Sequence, residues 1–221
     1  MDTDRLIRAL VDDLRPVTPL ASTGRRLFRW LAVGTPFVAI VVAVMGLRPD
    51  IGDRLSDGVF LLQELAMAAT AVAAAWAALS AGIPGTRRGV LYAPVAPLLL
   101  WTGAMGYQYA GEWQSGDAAA LMLGIDLQCI PGIVVTGTVP LVAIVAAIRA
   151  VGPHNRTVAV FWGTLASAAL ANGALRLFHP VDAAIMVIVW QFGSVLALAI
   201  LATLAKNVLV PVPGTKISAD A

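Results

Sequence analysis

Read along the chain, long apolar runs alternate with short polar stretches. Six of those runs are long enough for a helix to cross roughly 30 Å of hydrocarbon, which takes about 20 residues. They are Trp30–Leu47, Gly58–Ser80, Gly89–Tyr107, Ile130–Ile148, Val158–Leu177 and Ala183–Ala205. Within lipid every backbone donor and acceptor must be satisfied inside the segment, so helix is the expected form. The runs lack the alternating pattern of a membrane barrel. The pattern therefore predicts an all-α fold, a polytopic bundle of six transmembrane helices. A cytoplasmic arm (1–29) precedes the bundle (30–206), and a short tail (207–221) follows it.

Details within the runs refine this picture. The stretch Asp117–Gln128 would make the fourth run too long for one crossing, and Asp126, Gln128 and Pro131 indicate a short surface helix turning into the membrane. Ala66, Thr70, Ala74 and Ala78 recur every four residues and would let a neighbouring helix approach closely. Pro94, Pro97, Pro131 and Pro140 should kink or locally unwind their spans.

The arm has its own pattern. Leu6, Leu10 and Leu14 recur every four residues, and Ile7 and Val11 widen the stripe. Thr3 or Asp4 can cap a helix there, and Pro16 disfavours helix at Arg15 and ends it. About eleven residues are too few for a stable isolated helix in water. The stripe therefore needs a covering, either headgroups or another protein. Surface-seeking helices carry a strongly basic polar face, and Asp4, Asp12 and Asp13 offset the arginines here. That balance favours a protein partner. Burying four aliphatic side chains contributes on the order of 6–12 kcal/mol gross, against an ordering cost of about 2–5 kcal/mol or more.

Composition agrees with a bilayer environment. The 221 residues are 59% hydrophobic and 13% charged, whereas soluble domains carry roughly 25% charged residues. A net charge of +2 does not point to direct nucleic-acid contact. The single cysteine excludes an intrachain disulfide and a multi-cysteine zinc site. No cleavable signal peptide is expected, because the first apolar run follows a polar arm. Basic residues set the orientation. With the arm in the cytoplasm, Arg5, Arg8, Arg15, Arg25, Arg26, Arg29, Arg87, Arg88, Arg149, Arg156, Lys206 and Lys216 all lie inside, and only Arg48, Arg54 and Arg176 outside. Twelve against three places both termini in the cytoplasm and suits a bacterial inner membrane.

Ionisable residues inside spans are rare and often functional. Glu64, Asp126, Arg176 and His179 fall toward the outer side, level with Cys129. One reading is an ion pair between Glu64 and Arg176, or snorkelling of each to water. The sharper reading joins Cys129, His179 and one or both of the carboxylates Asp126 and Glu64 into a sensor for a soft metal or an oxidant, because thiolate and imidazole suit such ions. A disulfide between two copies through Cys129 is a further alternative. No resident cofactor is indicated. His154 reads as a solvated loop residue, and Val210-Pro211-Val212-Pro213 as extended tail.

Leu6-Ile7, Leu10, Asp13-Leu14, Pro16-Val17 and Leu20 fit the pattern L-I-x-x-L-x-x-D-L-x-P-V-x-x-L. This pattern resembles the NrsF-type anti-sigma factors, six-helix inner-membrane proteins that restrain an extracytoplasmic-function sigma factor of the SigF type. The Gly46-Leu47-Arg48-Pro49 turn and Cys129 extend the resemblance over essentially the whole chain. It implies that Leu6, Ile7, Leu10, Asp13, Leu14, Pro16 and Val17 contact the sigma factor, with Asp13 meeting a basic group and Pro16 redirecting the chain. It also implies release on metal or oxidative stress. Family members often have a second cysteine between the fifth and sixth spans. Here that loop reads Leu177-Phe178-His179-Pro180-Val181-Asp182, so an intrachain redox switch is impossible and any sensing needs other chemistry. A small transporter or channel is the alternative function, but the ionisable groups lie near one face rather than at mid-membrane. An intramembrane enzyme is not indicated, for no span has a His pair or paired aspartates and Cys129 has no adjacent base.

Overall fold

The computed structural model describes residues 3–12, 19–116, 118–125, 129–152 and 154–211, and among these there is no strand. The arm forms α1 (Thr3–Asp12). The six long helices are α2 (Thr23–Met45), α3 (Gly58–Ser80), α4 (Val95–Ser115), α5 (Cys129–Arg149), α6 (Arg156–Phe178) and α7 (Ala184–Leu204). Each is long and apolar enough to span a membrane, α4 together with the turn Arg88–Tyr92 before it. They run up and down, so one end of the bundle carries the arm and the loops around residues 81–94 and 150–155. The far end carries the loops around residues 46–57, 116–128 and 179–183.

The helix limits follow local chemistry. Ser22 caps α2 by accepting from the Arg25 amide at 3.4 Å, and Gly46 ends it at φ +79°, a conformation that favours glycine. Asp57 caps α3 through the Val59 amide at 2.8 Å, and Asn155 caps α6 through Val158 at 3.1 Å. Helix α3 coincides with its expected window. Helix α2 begins at Thr23 rather than Trp30, because Arg26 is buried with its guanidinium satisfied. It donates to the Leu79 carbonyl at 2.9 Å and the Ala147 carbonyl at 3.0 Å. The third span breaks at Ala93–Pro94 and then runs on to Ser115, beyond the expected Tyr107. Residues 187–192 of α7 form a widened, π-helical turn that the apolar pattern does not announce. The surface stretch contains the short helix Ala118–Leu121.

Helix α6 is the hub. Residues 163–169 are all buried, covering every face of the helix in turn. Helices α2, α3, α5 and α7 all pack on it, and α4 lies outside against α3. Small residues allow this. Ala66, Thr70, Ala74 and Ala78 on α3 are at most 3% exposed, and α3 lies along α6, so the four-residue stripe serves the close approach expected of it. With no apolar driving force between helices in lipid, such close packing supplies the association energy. Trp30 ties α2 to α5 by donating to the Pro140 carbonyl at 2.9 Å.

Gly163 marks a tight crossing of α6 with α5 and α3. A Cβ there would lie 3.1 Å from Ile148 Cδ1, 3.4 Å from Ile144 Cγ2 and 3.6 Å from Ala78 Cβ. Gly163→Leu is expected to destabilise the bundle by about 1–3 kcal/mol through overpacking. Thermal unfolding in detergent reads this out, with Gly103→Leu, where nothing lies within 4 Å, expected to be neutral.

Candidate functional site

Two regions hold the residues singled out above, one at each end of the bundle. At the arm end, α1 presents its side chains outward. Thr3, Asp4, Arg5, Ile7, Arg8, Val11 and Asp12 are all exposed, Ile7 at 53% and Val11 at 57%. Two apolar members of the stripe, Ile7 and Val11, thus lie open. Leu6 and Leu10 lie on the same helix, their side chains outside the described set. Asp13, Leu14, Pro16 and Val17 fall outside the described residues. Asp4 in the first turn suits the positive end of the helix dipole.

At the far end six charged side chains form one alternating network. Arg48 Nη1 lies 2.6 Å from Asp182 Oδ2, and Arg48 Nε 2.6 Å from Asp50 Oδ1. Arg54 Nε reaches Asp182 at 3.0 Å and Asp50 at 3.3 Å. Arg176 lies 3.5 Å from Asp182 and 3.4 Å from Glu64, with its guanidinium carbon 4.7 Å from the Phe60 ring centre. Three arginines therefore balance three carboxylates. The side chains of Arg48, Arg176 and Asp182 are at most 7% exposed, where electrostatic attraction is poorly screened. The hydrogen bond from Arg48 holds the Asp50 carboxyl down at about 2.

The backbone is tied into the same network. The Arg48 amide donates to the Leu177 carbonyl at 3.0 Å, and its guanidinium to the Pro180 carbonyl at 3.3 Å. Gln63 donates to Gln108 at 2.9 Å, and Gln108 in turn donates to Glu112 and to the Asp182 carbonyl, each at 2.7 Å. Glu112 accepts from the Ala184 amide at 3.1 Å. The turn after α2, the end of α4 and the α6–α7 loop are thereby latched together.

The structure separates some of the candidate sensing residues. Glu64 pairs with Arg176 and faces a cavity of about 460 Å³ between α2, α3 and α6. His179 borders a different cavity, of about 520 Å³, with Val41, Met45, Pro131 and Thr136. Cys129 opens α5, two residues before Pro131, its side chain outside the described set, and Asp126 lies outside the described residues. Among the described residues no three of His, Cys, Asp and Glu gather as metal ligands. His154 is exposed, as its loop position implies.

Sequence reasoning found the ion pair of Glu64 with Arg176 but missed Arg48 and Asp182 as its buried partners. A signal was present: Arg48 and Asp50 flank Pro49, and Arg176 and Asp182 bracket the loop that holds Pro180 at the same end of the bundle. A family model described as negative regulator of sigma F, NrsF, matches residues 10–210. No curated protein matches the chain, and no solved structure does.

Proposed function

Because the chain belongs to the NrsF family, the negative regulators of sigma F, we propose that it holds an extracytoplasmic-function sigma factor of the SigF type at the bacterial inner membrane. Capture runs through the cytoplasmic arm, with Leu6, Ile7, Leu10 and Leu14 supplying buried area. Asp13 meets a basic group of the partner, Pro16 redirects the chain, and Val17 completes the contacting surface. The observation that supports this reading best is the exposed apolar face of α1 at Ile7 and Val11. An amphipathic helix of this kind binds by laying that face in a groove of its partner. The protein acts by binding, not catalysis.

Both termini lie in the cytoplasm on this reading, in keeping with the basic residues clustered at the arm end. A sigma factor so held is kept from RNA polymerase. Co-expressed with the sigma factor, the full chain should bring it into the membrane fraction, and a chain lacking residues 1–18 should leave it soluble. A soluble sigma factor beside the full chain would end the proposal.

Release follows an envelope cue, metal or oxidant, received at the far end by Cys129 and His179, with Asp126 and Glu64 as further acidic groups. Cys129→Ser and His179→Ala are each expected to blunt release under cadmium or oxidant, read as expression from a sigma-dependent promoter. A wild-type response in both variants would reduce these residues to packing.

A further inference from the structure

We propose that the groove between α2 and α5 at the arm end is a binding site for one anionic phospholipid. The groove encloses about 580 Å³. Its rim carries Arg25 and Arg29, both exposed and, among the described residues, without an acidic or hydrogen-bonding partner for the guanidinium. Its floor is apolar, formed by Trp30, Val33, Ala143 and Ala147. The neighbouring Arg26 is spent on the Leu79 and Ala147 carbonyls and closes the inner wall.

Such a site matches an amphiphile with an anionic head and a hydrocarbon tail. Arg25 and Arg29 stand in the first turns of α2, where the helix dipole adds to their attraction for a phosphate. Every described carboxylate of the bundle lies toward the far end or in its loops, so among the described bundle residues nothing acidic competes for these arginines. Val33 lies ten residues past Thr23, about 15 Å along the helix axis. That depth is within the span, where a lipid tail reaches and a soluble partner does not. Basic pockets between transmembrane helices at the cytoplasmic face bind anionic headgroups by this chemistry. Leu20 borders the same groove, so a bound lipid would touch the root of the arm and set where the arm leaves the membrane. The proposal stands on the groove itself and is independent of sigma capture.

Native mass spectrometry of the full chain in detergent tests it, with dioleoylphosphatidylglycerol and dioleoylphosphatidylcholine as probes. Phosphatidylglycerol should be retained in preference, and inorganic phosphate should not displace it. The Arg25→Gln/Arg29→Gln variant should bind it about 30-fold more weakly. Ala143→Leu keeps both charges but fills the floor, and should lose the preference as well. Equal retention of the two lipids overturns the proposal, as does a preference that survives either variant. Binding seen only after removal of residues 1–18 would mean that the arm itself occupies the groove, and would overturn it too.

Discussion

Leu10→Asp should abolish capture of the sigma factor while leaving the bundle folded and inserted. Position 10 lies at the centre of the stripe: at about 100° per residue, Leu6, Ile7, Leu10 and Val11 share one side of the helix, with Arg5 and Asp12 opposite. Losing a buried leucine removes about 1.5–3 kcal/mol, and burying an unpaired carboxylate in its place costs several more. Together these exceed a factor of about 1,000 in affinity. The arm can take the charge without harm to the bundle, because every described side chain of α1 is exposed. Ile7→Asp should do the same. Arg5→Ala, on the opposite side, should change affinity by less than tenfold. Pull-down from detergent with purified sigma factor reads all three. Undiminished binding by Leu10→Asp and Ile7→Asp would remove α1 from the interface.

The second large effect is expected at the far end. Asp182→Ala should destabilise the fold by about 3–5 kcal/mol, since it leaves buried guanidinium groups without their shared carboxylate. The side chains of Arg48 and Arg176 are only 1% and 2% exposed. For a domain of this size the melting temperature should fall by roughly 6–20 °C. Arg54, at 36% exposed, is screened by water; Arg54→Ala should cost less than about 1 kcal/mol. The contrast separates a buried latch from a surface ornament. Arg48→Met combined with Asp182→Leu should recover part of the loss, because it removes the desolvation of Arg48 while Arg176 keeps only Glu64. If Asp182→Ala melts like Arg54→Ala, the network does not hold the loops together.

The latch also bears on how the two ends communicate. Helix α2 joins them directly: its first turns adjoin the arm, and the turn after Gly46 places Arg48 in the charge network. Transmission requires two discrete positions of such an element, each favoured by different contacts. Freeing the end of α2 would require loss of the Arg48–Asp182 contact together with the bonds from Arg48 to the Leu177 and Pro180 carbonyls.

Much of this architecture was legible in the order of residues, for reasons that can be stated helix by helix. Gly58–Ser80 was read without error because Asp57 stands at the polar-to-apolar step and caps the helix there. The start of α2 was not. Arg25, Arg26 and Arg29 look like arm residues, and Arg26 enters the bundle only because carbonyls 53 and 121 residues away accept its hydrogen bonds. Helix α4 outran its apolar window for the same reason: Gln108 and Glu112 are polar, yet Gln63, Asp182 and Ala184 satisfy them. Local pattern cannot supply partners so distant in sequence. Arg48, Arg54, Arg176 and Glu64 were legible as charges of the outer side, but their pairing with Asp50 and Asp182 depends on helix register. The widened turn at 187–192 has no signature in composition. At the arm the stripe was plain from spacing alone. Its exposure at Ile7 and Val11 is a tertiary fact.

What covers that stripe in the cell decides whether α1 is the capturing element. A photo-crosslinking residue placed at Ile7, in membranes holding both the full chain and the sigma factor, reports the covering directly. The expected result is a crosslink to the sigma factor that disappears after the inducing stress. A crosslink from Ile7 to the protein's own bundle, unchanged by the presence of the sigma factor, would contradict it.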